Sequence, residues 1–402
     1  MKYNKPLNET DTNASYKNAD PANAQKGSTV PAEAIEYTQR EIVAAIEEAG
    51  LTPSNSDLTQ LIKAIKALDT AKIAALMASD TEVRGGTLSS KVASVKQLDE
   101  ISTAVLIADR LYSGVDLTVK FASEITAAGG DEWAWIKSRI QAGNYAGIHV
   151  GDYIPVTLSA GTVGADTIVA QTLQMQIAGI DTYYGYGDTA VPHHIDFISR
   201  EVIGTEIKWQ DNNNNNGTAV ENRPWLTSKL YAWLNGVNNY TTSAYNSVAH
   251  GLNANGIGIF QRLPAKVQSV IVEKRFLMET RYSASALLSV SNGWTWGSMG
   301  KLWVPTENEV YGCQVWSGAN SDVGNWGCGS MGAVSYPLFA NGGGYTVSRV
   351  KKDAGGTRRP WWLAAVAGGI STNVTYVGNH GYAAINVAGS AGVFAPLCFR
   401  VA

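Results

Sequence analysis

At 402 residues, 45% of them hydrophobic, the chain has the material for two or three domains and a sizeable core, yet only 16% are charged, against roughly 25% in an ordinary globular protein. A formal net charge of −3, with no basic run longer than Lys351-Lys352 or Arg358-Arg359, argues against nucleic acid as a partner. The longest apolar run, Trp361 to Ile370, is too short to span a bilayer, and Met1 to Glu9 lack a signal-peptide core, so the product is expected to be made in a cytoplasm and neither exported by a cleaved signal nor anchored.

Forty-one glycines and 12 tryptophans, with polarity carried by Asn, Ser and Thr, predict a turn-rich, aromatic-rich β protein. The three cysteines, Cys313, Cys328 and Cys398, are an odd number without a C-x-x-C pair. Three buried thiols is the preferred reading, with a Cys313–Cys328 bridge as the alternative.

Residues 1–26 are too polar to form a core alone and are expected to be a tail or to order against a partner. From Pro31 the pattern is helical: Ile35, Ile42, Val43 and Ile46 recur near every 3.6 residues until Gly50. Ser56-Asp57 announces a second helix striped by Leu58, Leu61, Ile62, Ile65 and Leu68, with the period continuing through Ile73 and Leu76. Such narrow seams call for partners, and self-association supplies them.

Gly27 to Glu36, Gln39-Arg-Glu-Ile42, Ala49 to Pro53 and Asp57 to Leu61 resemble the N-terminal module of tail fibre proteins of tailed bacteriophages. Ser79-Asp-Thr-Glu-Val-Arg-Gly-Gly-Thr87, followed by Lys91 and Lys96-Gln-Leu98, resembles a second tail-fibre element, with Val92-Ala-Ser-Val95 replacing its usual closing run.

After Leu111 the pattern turns to β. Trp133-Ala-Trp-Ile136 and Ile148 to Leu158 alternate as strands do, and Ile168 to Tyr186 predicts one or two more. An Asn-rich loop, Asp211 to Gly217, precedes a helix over Trp225 to Asn235; Val267 to Val272 and Lys301 to Val304 are strand-like, and Glu307 to Gly312 opens a short helix. In the last hundred residues apolar blocks alternate with Gly, Asn, Ser and Ala stretches, Ser317 to Gly324 and Gly368 to Gly381, which predict loops held out to solvent.

His149 to Ile154, Ser228 to Asn235, Gly300 to Gly312, Pro360-Trp-Trp-Leu363 and Ala395 to Phe399 are similar to a family of uncharacterised bacterial and phage domains. That resemblance implies a C-type-lectin-like fold related to the formylglycine-generating enzymes, over about residues 115–402. Where the family usually has Arg-Ser after Trp-Trp-Leu, this chain has Ala364-Ala365, which puts a role for that arginine in doubt.

Enzyme signatures fail on context. Gly327-Cys-Gly-Ser-Met-Gly332 has neither a leading strand nor a following helix. His193-His194 with Asp196 suits a shared metal poorly, because neighbours in a strand face opposite ways, and a surface turn after Pro192 is favoured. The C-terminal carboxylates that could serve a glycan depolymerase are Glu307, Glu309, Asp322 and Asp353. No cofactor and no metal are called for.

The expected fold is α+β: a tail-attachment segment at 1–30, a helical and trimeric stalk at 31–110, and a loop-rich C-type-lectin-like domain at 111–402. The resemblances imply a non-catalytic phage tail-fibre adhesin in the virion. It would contact other tail or baseplate proteins through its N-terminus and a bacterial surface glycan or protein through its C-terminal loops, without entering a membrane. Tyr, Trp, Ser, Gly and Asn make adaptable recognition surfaces. The candidate contacts are Trp316, Asn320, Asn325, Trp326 and Tyr345, then Ala364, Ala365, Asn373, Tyr376, Asn379, His380 and Tyr382. The Ala364-Ala365 pair and the loops up to the final strand also suit a C-terminus diversified by a retroelement.

Overall fold

The computed structural model describes residues 4–77, 114–236, 256–317, 334–340 and 347–402. The chain divides into two compact units, residues 1–109 and 110–402. The second tail-fibre-like element, the G-x-G-x-x-G stretch, Cys328, Asp322 and the Ser317 to Gly324 loop beyond Ser317 lie outside the described residues.

In the first unit residues 4–30 form an irregular but internally bonded segment, with Leu7 N donating to Thr29 O (2.9 Å) and Tyr16 Oη to Asn4 O (2.9 Å). Helix α1 (Ala32–Glu48) starts after Pro31 and is braced by the Arg40–Glu36 pair at 2.7 Å. Helix α2 (Gln60–Leu76) starts later than Ser56-Asp57 suggests, because Asp57 closes a local turn on Thr59 N (2.9 Å) and Oγ1 (2.6 Å). Leu58 therefore falls outside the helix and is 94% exposed. The helices pack on each other through Ile46 and Ala64, leaving Ile35, Leu61, Ile62, Ile65 and Ile73 exposed.

The second unit is mixed α/β. It opens with α3 (Leu117–Lys120), α4 (Ala122–Ala127) and α5 (Glu132–Gln141). Helix α5 overturns the strand expected at Trp133 to Ile136. The Asp131 carboxylate accepts from Trp133 N (2.8 Å) and Ala134 N (3.1 Å), an N-cap that starts a helix, and Trp133, Ile136 and Ile140 then share its buried face. The Trp133 ring meets Phe197 at 5.4 Å and Phe399 at 5.5 Å, edge-on.

Those phenylalanines belong to the main sheet. Strands β1 (Tyr153–Leu158), β4 (Gln171–Ile180), β5 (Ile195–Val202), β14 (Pro396–Val401) and β6 (Ile271–Val272) are antiparallel in that order, with β9 (Lys351–Lys352) parallel to β5 and β10 (Arg358–Arg359) beside β9. Every residue of β14 is buried, as a central strand covered on both faces requires. Strands β2 (Gly161–Val163) and β3 (Asp166–Ile168) form a hairpin, as do β7 (Arg275–Thr280) and β8 (Gly293–Ser298).

Strands β11 (Trp361–Val366), β12 (Asn373–Val377) and β13 (Ala383–Val387) make a separate antiparallel sheet. Gly368 to Gly381 is therefore not a solvent loop. It contains all of β12, whose Val374, Thr375 and Val377 are buried.

Other expectations shift locally. The helix expected over Trp225 to Asn235 is α6 (Lys229–Asn235), delayed because Ser228 Oγ caps Tyr231 N at 3.0 Å. Val267 to Val272 splits into the end of α7 (Ala265–Gln268) and β6. Lys301 to Val304 is extended but makes only one bridge, Leu302 to Phe399, before Pro305 ends the pairing. Helix α8 (Glu307–Tyr311) forms with a reciprocal Thr306–Glu309 capping box, and Gly312 ends it at φ +75°. Helix α9 (Pro337–Ala340) completes nine helices among the described residues, none long and apolar enough to cross a membrane.

Candidate functional site

The β11–β13 sheet rests on a polar brick built from the asparagine run. Asn215 is fully buried, and its side-chain nitrogen donates to Ile370 O (2.8 Å) and Asn373 O (2.6 Å). Its oxygen accepts from the buried Arg281 guanidinium at 3.2 Å, which also donates to Ala367 O at 2.9 Å. Asn216 exchanges bonds with Leu288, donating to its carbonyl at 2.9 Å and accepting from its amide at 2.8 Å. What reads as an exposed loop is thus the clamp that fixes the 366–373 turn, because an amide side chain can imitate the backbone groups it satisfies.

A cleft lies between this sheet, the β7–β8 hairpin and α8. Its cavity is small, about 50 Å³. Trp225, Phe276, Met278, Trp294 and Met299 give it aromatic and thioether walls, Ala364 and Ala365 contribute from β11, and Glu279, Glu307, Asn308, Gln314 and Ser317 supply polar groups. Glu279 stands opposite Trp294 in the hairpin register and accepts from Val366 N (3.0 Å) and Ser291 Oγ (2.5 Å).

Glu307 organises the segment beside the cleft. Its carboxylate accepts from Val315 N (3.1 Å), Trp316 N (3.0 Å), Ser317 N (2.8 Å) and Ser317 Oγ (2.7 Å). Burial raises its pKa above the ordinary carboxylate value, although the Ser317 and Trp316 donors pull the other way.

The expected contacts separate into distinct places. Ala364 and Ala365 line the cleft. Trp316 bridges outward from it: its backbone is held by Glu307, and its indole Nε1 donates to Ala383 O at 3.1 Å. Asn379 and His380 are exposed at the tip of the β12–β13 hairpin, where Gly378 N donates to Tyr382 O (2.8 Å) and Gly381 takes φ +85°. The Tyr382 ring lies on the backbone of Gly378, where a Cβ would sit 2.4 Å from it.

Tyr376 is half-buried beside Trp362 and hydrogen-bonded to Tyr382; burial raises its phenol pKa, and Tyr382 adds to the rise. Asn373 is half-buried, its carbonyl accepting from Asn215 and its side chain from Thr372 Oγ1 at 2.7 Å. Asn320, Asn325, Trp326 and Tyr345 lie outside the described residues. The sequence reading missed Trp294 and Asn308; the Thr306-x-x-Glu309 capping signature was the available signal for the short helix that carries Asn308.

Beneath the cleft region runs a second polar system. Arg400 meets Asp196 with two 2.7 Å contacts, Tyr336 Oη donates to Asp196 at 2.8 Å, and Lys274 Nζ lies 3.0 Å from Tyr336 Oη while pairing with Glu309. Tyr183 Oη donates to Glu309 at 2.7 Å, and Lys274 sits 3.8 Å from the Trp303 ring centre. Burial lowers the Lys274 pKa and raises those of Tyr183 and Tyr336. All six side chains are enclosed, so the arrangement locks β5, β14, α8 and the residue leading into α9 together and presents no group to a ligand.

His194 is not on a surface turn: it is buried, Nδ1 donates to Pro192 O at 2.8 Å, and Nε2 accepts from Tyr183 N at 3.3 Å. His193 faces the other way, paired with Asp181 at 2.7 Å and stacked on Tyr184 at 4.2 Å. Cys398 is buried, but Cys313 is exposed, because it follows the Gly312 turn out of α8. Among the carboxylates considered for glycan cleavage, Glu307 and Glu309 are engaged as above and Asp353 pairs with Arg359 at 2.7 Å. Among the described residues no group of three His, Cys, Asp or Glu side chains is arranged to hold a metal. Compared with known protein families, curated proteins and solved structures, the chain matches none of them.

Proposed function

We propose that the protein is a phage tail-fibre adhesin that binds a bacterial surface receptor without catalysis. The observation that carries the reading is the β12–β13 hairpin: Tyr382, Asn379 and His380 are exposed at its tip, on a sheet whose base is fixed by Trp362, Asn215 and Arg281. Rigid aromatic area with adaptable polar groups, held by an ordered base, is the physical description of a recognition surface. The tail-fibre-like motifs of residues 27–98 support the setting.

The second unit is read as C-type-lectin-like. Its last strand, β14, returns to the main sheet and lies antiparallel between β5 and β6. The exposed apolar faces of α1 and α2 support a trimeric stalk, in which three weak sites act with a raised effective concentration. The N-terminal segment is assigned to tail attachment. Diversification of the C-terminus by a retroelement belongs to the same reading and requires a template repeat and a reverse transcriptase beside the gene.

The test is binding of purified protein to a panel of intact bacterial strains, comparing the full chain with a His380→Ala/Tyr382→Ala double variant of unchanged melting temperature. Strain-selective binding that the double variant loses supports the reading. Binding to no strain, or binding indifferent to the substitutions, overturns it.

A further inference from the structure

Helices α1 and α2 are each 17 residues long, yet only Ile46 of the first and Ala64 of the second are buried. Helices in proteins draw most of their stability from a packed apolar face, and one covered residue apiece does not supply it. The uncovered faces are broad. Ile35, Ile42 and Val43 continue, at helical spacing, the side of α1 that carries Ile46, and Leu61, Ile65 and Leu68 run along α2; all six are exposed.

The charges on the two helices indicate what covers those faces. Helix α1 carries five glutamates and one arginine, net −4, whereas α2 carries three lysines and one aspartate, net +2. Within one copy these charges are largely unused. Arg40 pairs with Glu36 inside α1 and Lys63 with Asp57 at the lead-in to α2, while Glu33, Glu47, Glu48, Lys66 and Lys72 have no ionic partner among the described residues. Laying a second α1 on α1 sets −4 against −4, and a second α2 on α2 sets +2 against +2. Of the three pairings, α1 on α2 is the one that brings opposite charges together, and like-charge juxtaposition is what suppresses wrong partners.

We propose that each uncovered face is occupied by another copy of this chain, with α1 of one copy docked on α2 of the next. Burial of the apolar rows supplies the attraction. The flanking charges are exposed and add little energy, but they fix which helix meets which. Because the contact joins two different surfaces, its repetition around an axis closes a ring. The proposal rests on the stalk reading for the number of copies and goes beyond it in assigning the pairing.

The experiment coexpresses two differently tagged full-length chains. One carries Lys63→Arg, Lys66→Arg and Lys72→Arg, which keep the charge of α2 and remove its amines. The other carries Glu33→Gln, Glu36→Gln, Glu41→Gln, Glu47→Gln and Glu48→Gln, which remove the carboxylates of α1. Neither chain then holds both partners, so any amide that zero-length carbodiimide coupling forms between an α1 carboxylate and an α2 lysine joins two copies. Expected is that amide, found by peptide mass spectrometry in the copurified complex and absent from either chain expressed alone. No such amide, whether or not the two chains copurify, overturns the proposal. Sedimentation of the wild-type chain separates the two readings. A wild type that self-associates while the amide is missing removes the α1-on-α2 pairing and leaves the stalk, whereas a monomeric wild type removes both.

Discussion

Asp196 and Arg400 face each other directly across β5 and β14 and make a two-pronged ion pair, 2.7 Å at each contact, with both side chains shut away from water. Burial alone would raise the Asp196 pKa; the Arg400 charge and hydrogen bonds override that and hold it well below the usual carboxylate range. Arg400→Met leaves the buried carboxylate with Tyr336 as its donor and only the more distant His194 and Lys274 around it, and is expected to cost about 3–5 kcal/mol in urea unfolding. Asp196→Leu added to Arg400→Met removes the stranded charge and recovers part of that loss.

The asparagine run predicts a sharp contrast between neighbours. Asn215→Ala strips partners from Ile370 O, Asn373 O and Arg281, and is expected to cost about 2–4 kcal/mol. Asn213→Ala loses only a long, exposed bond from Gly389 N (3.3 Å) and stays within about 1 kcal/mol. Thermal or urea denaturation of the two single variants measures the difference.

Glu307→Ala removes one acceptor group from three backbone N–H groups, and the expected loss is about 2–4 kcal/mol, concentrated in the 315–317 segment. Hydrogen exchange at Val315, Trp316 and Ser317 reads this locally. Glu307→Gln retains one accepting oxygen and recovers part of the protection.

Lys351 is buried, donates to Ser199 O, and burial lowers its pKa from 10.5 to about 8. Below pH 8 the lysine is charged in folded and unfolded chains alike, and the penalty for burying the charge is present in full. Between pH 8 and 10.5 the folded chain has released a proton that the unfolded chain keeps, so this residue's contribution rises with pH, by up to about 3 kcal/mol. Lys351→Met abolishes that dependence. The stability of the wild type relative to the variant is therefore expected to improve between pH 7 and pH 10 in urea titrations.

Gly378→Ala places a methyl group against the Tyr382 ring and moves that ring off the hairpin. Strain binding is expected to fall about tenfold, with a modest drop in melting temperature because the Tyr382 ring that covers the buried Gly378 is displaced. Unchanged binding with a displaced ring would take Tyr382 out of the recognition surface.

Local chemistry made some of this chain legible. The stripes of Ile35 to Ile46 and Leu61 to Leu76 specified α1 and α2, and the Thr306-x-x-Glu309 box with Gly312 specified α8, since helix period and capping act within a few residues. Ala364 and Ala365 could be singled out before their place in the cleft was visible. Elsewhere the nearest neighbours in sequence misled. Trp133-Ala-Trp-Ile alternates as a strand does, yet the Asp131 cap and the fit of Trp133 against Phe197 and Phe399 make it a helix. The asparagines of 214–216 have loop composition, and only contacts far along the chain, with Arg281, Leu288 and Ile370, turn them into a clamp. Glu279, Trp294, Glu307 and Asn308 become one cleft by packing alone. Sequence determined the helices and their caps, because those depend on contacts three or four residues apart; tertiary structure decided which polar groups are buried and which aromatic ones are shown, because that depends on partners the chain brings together only when folded.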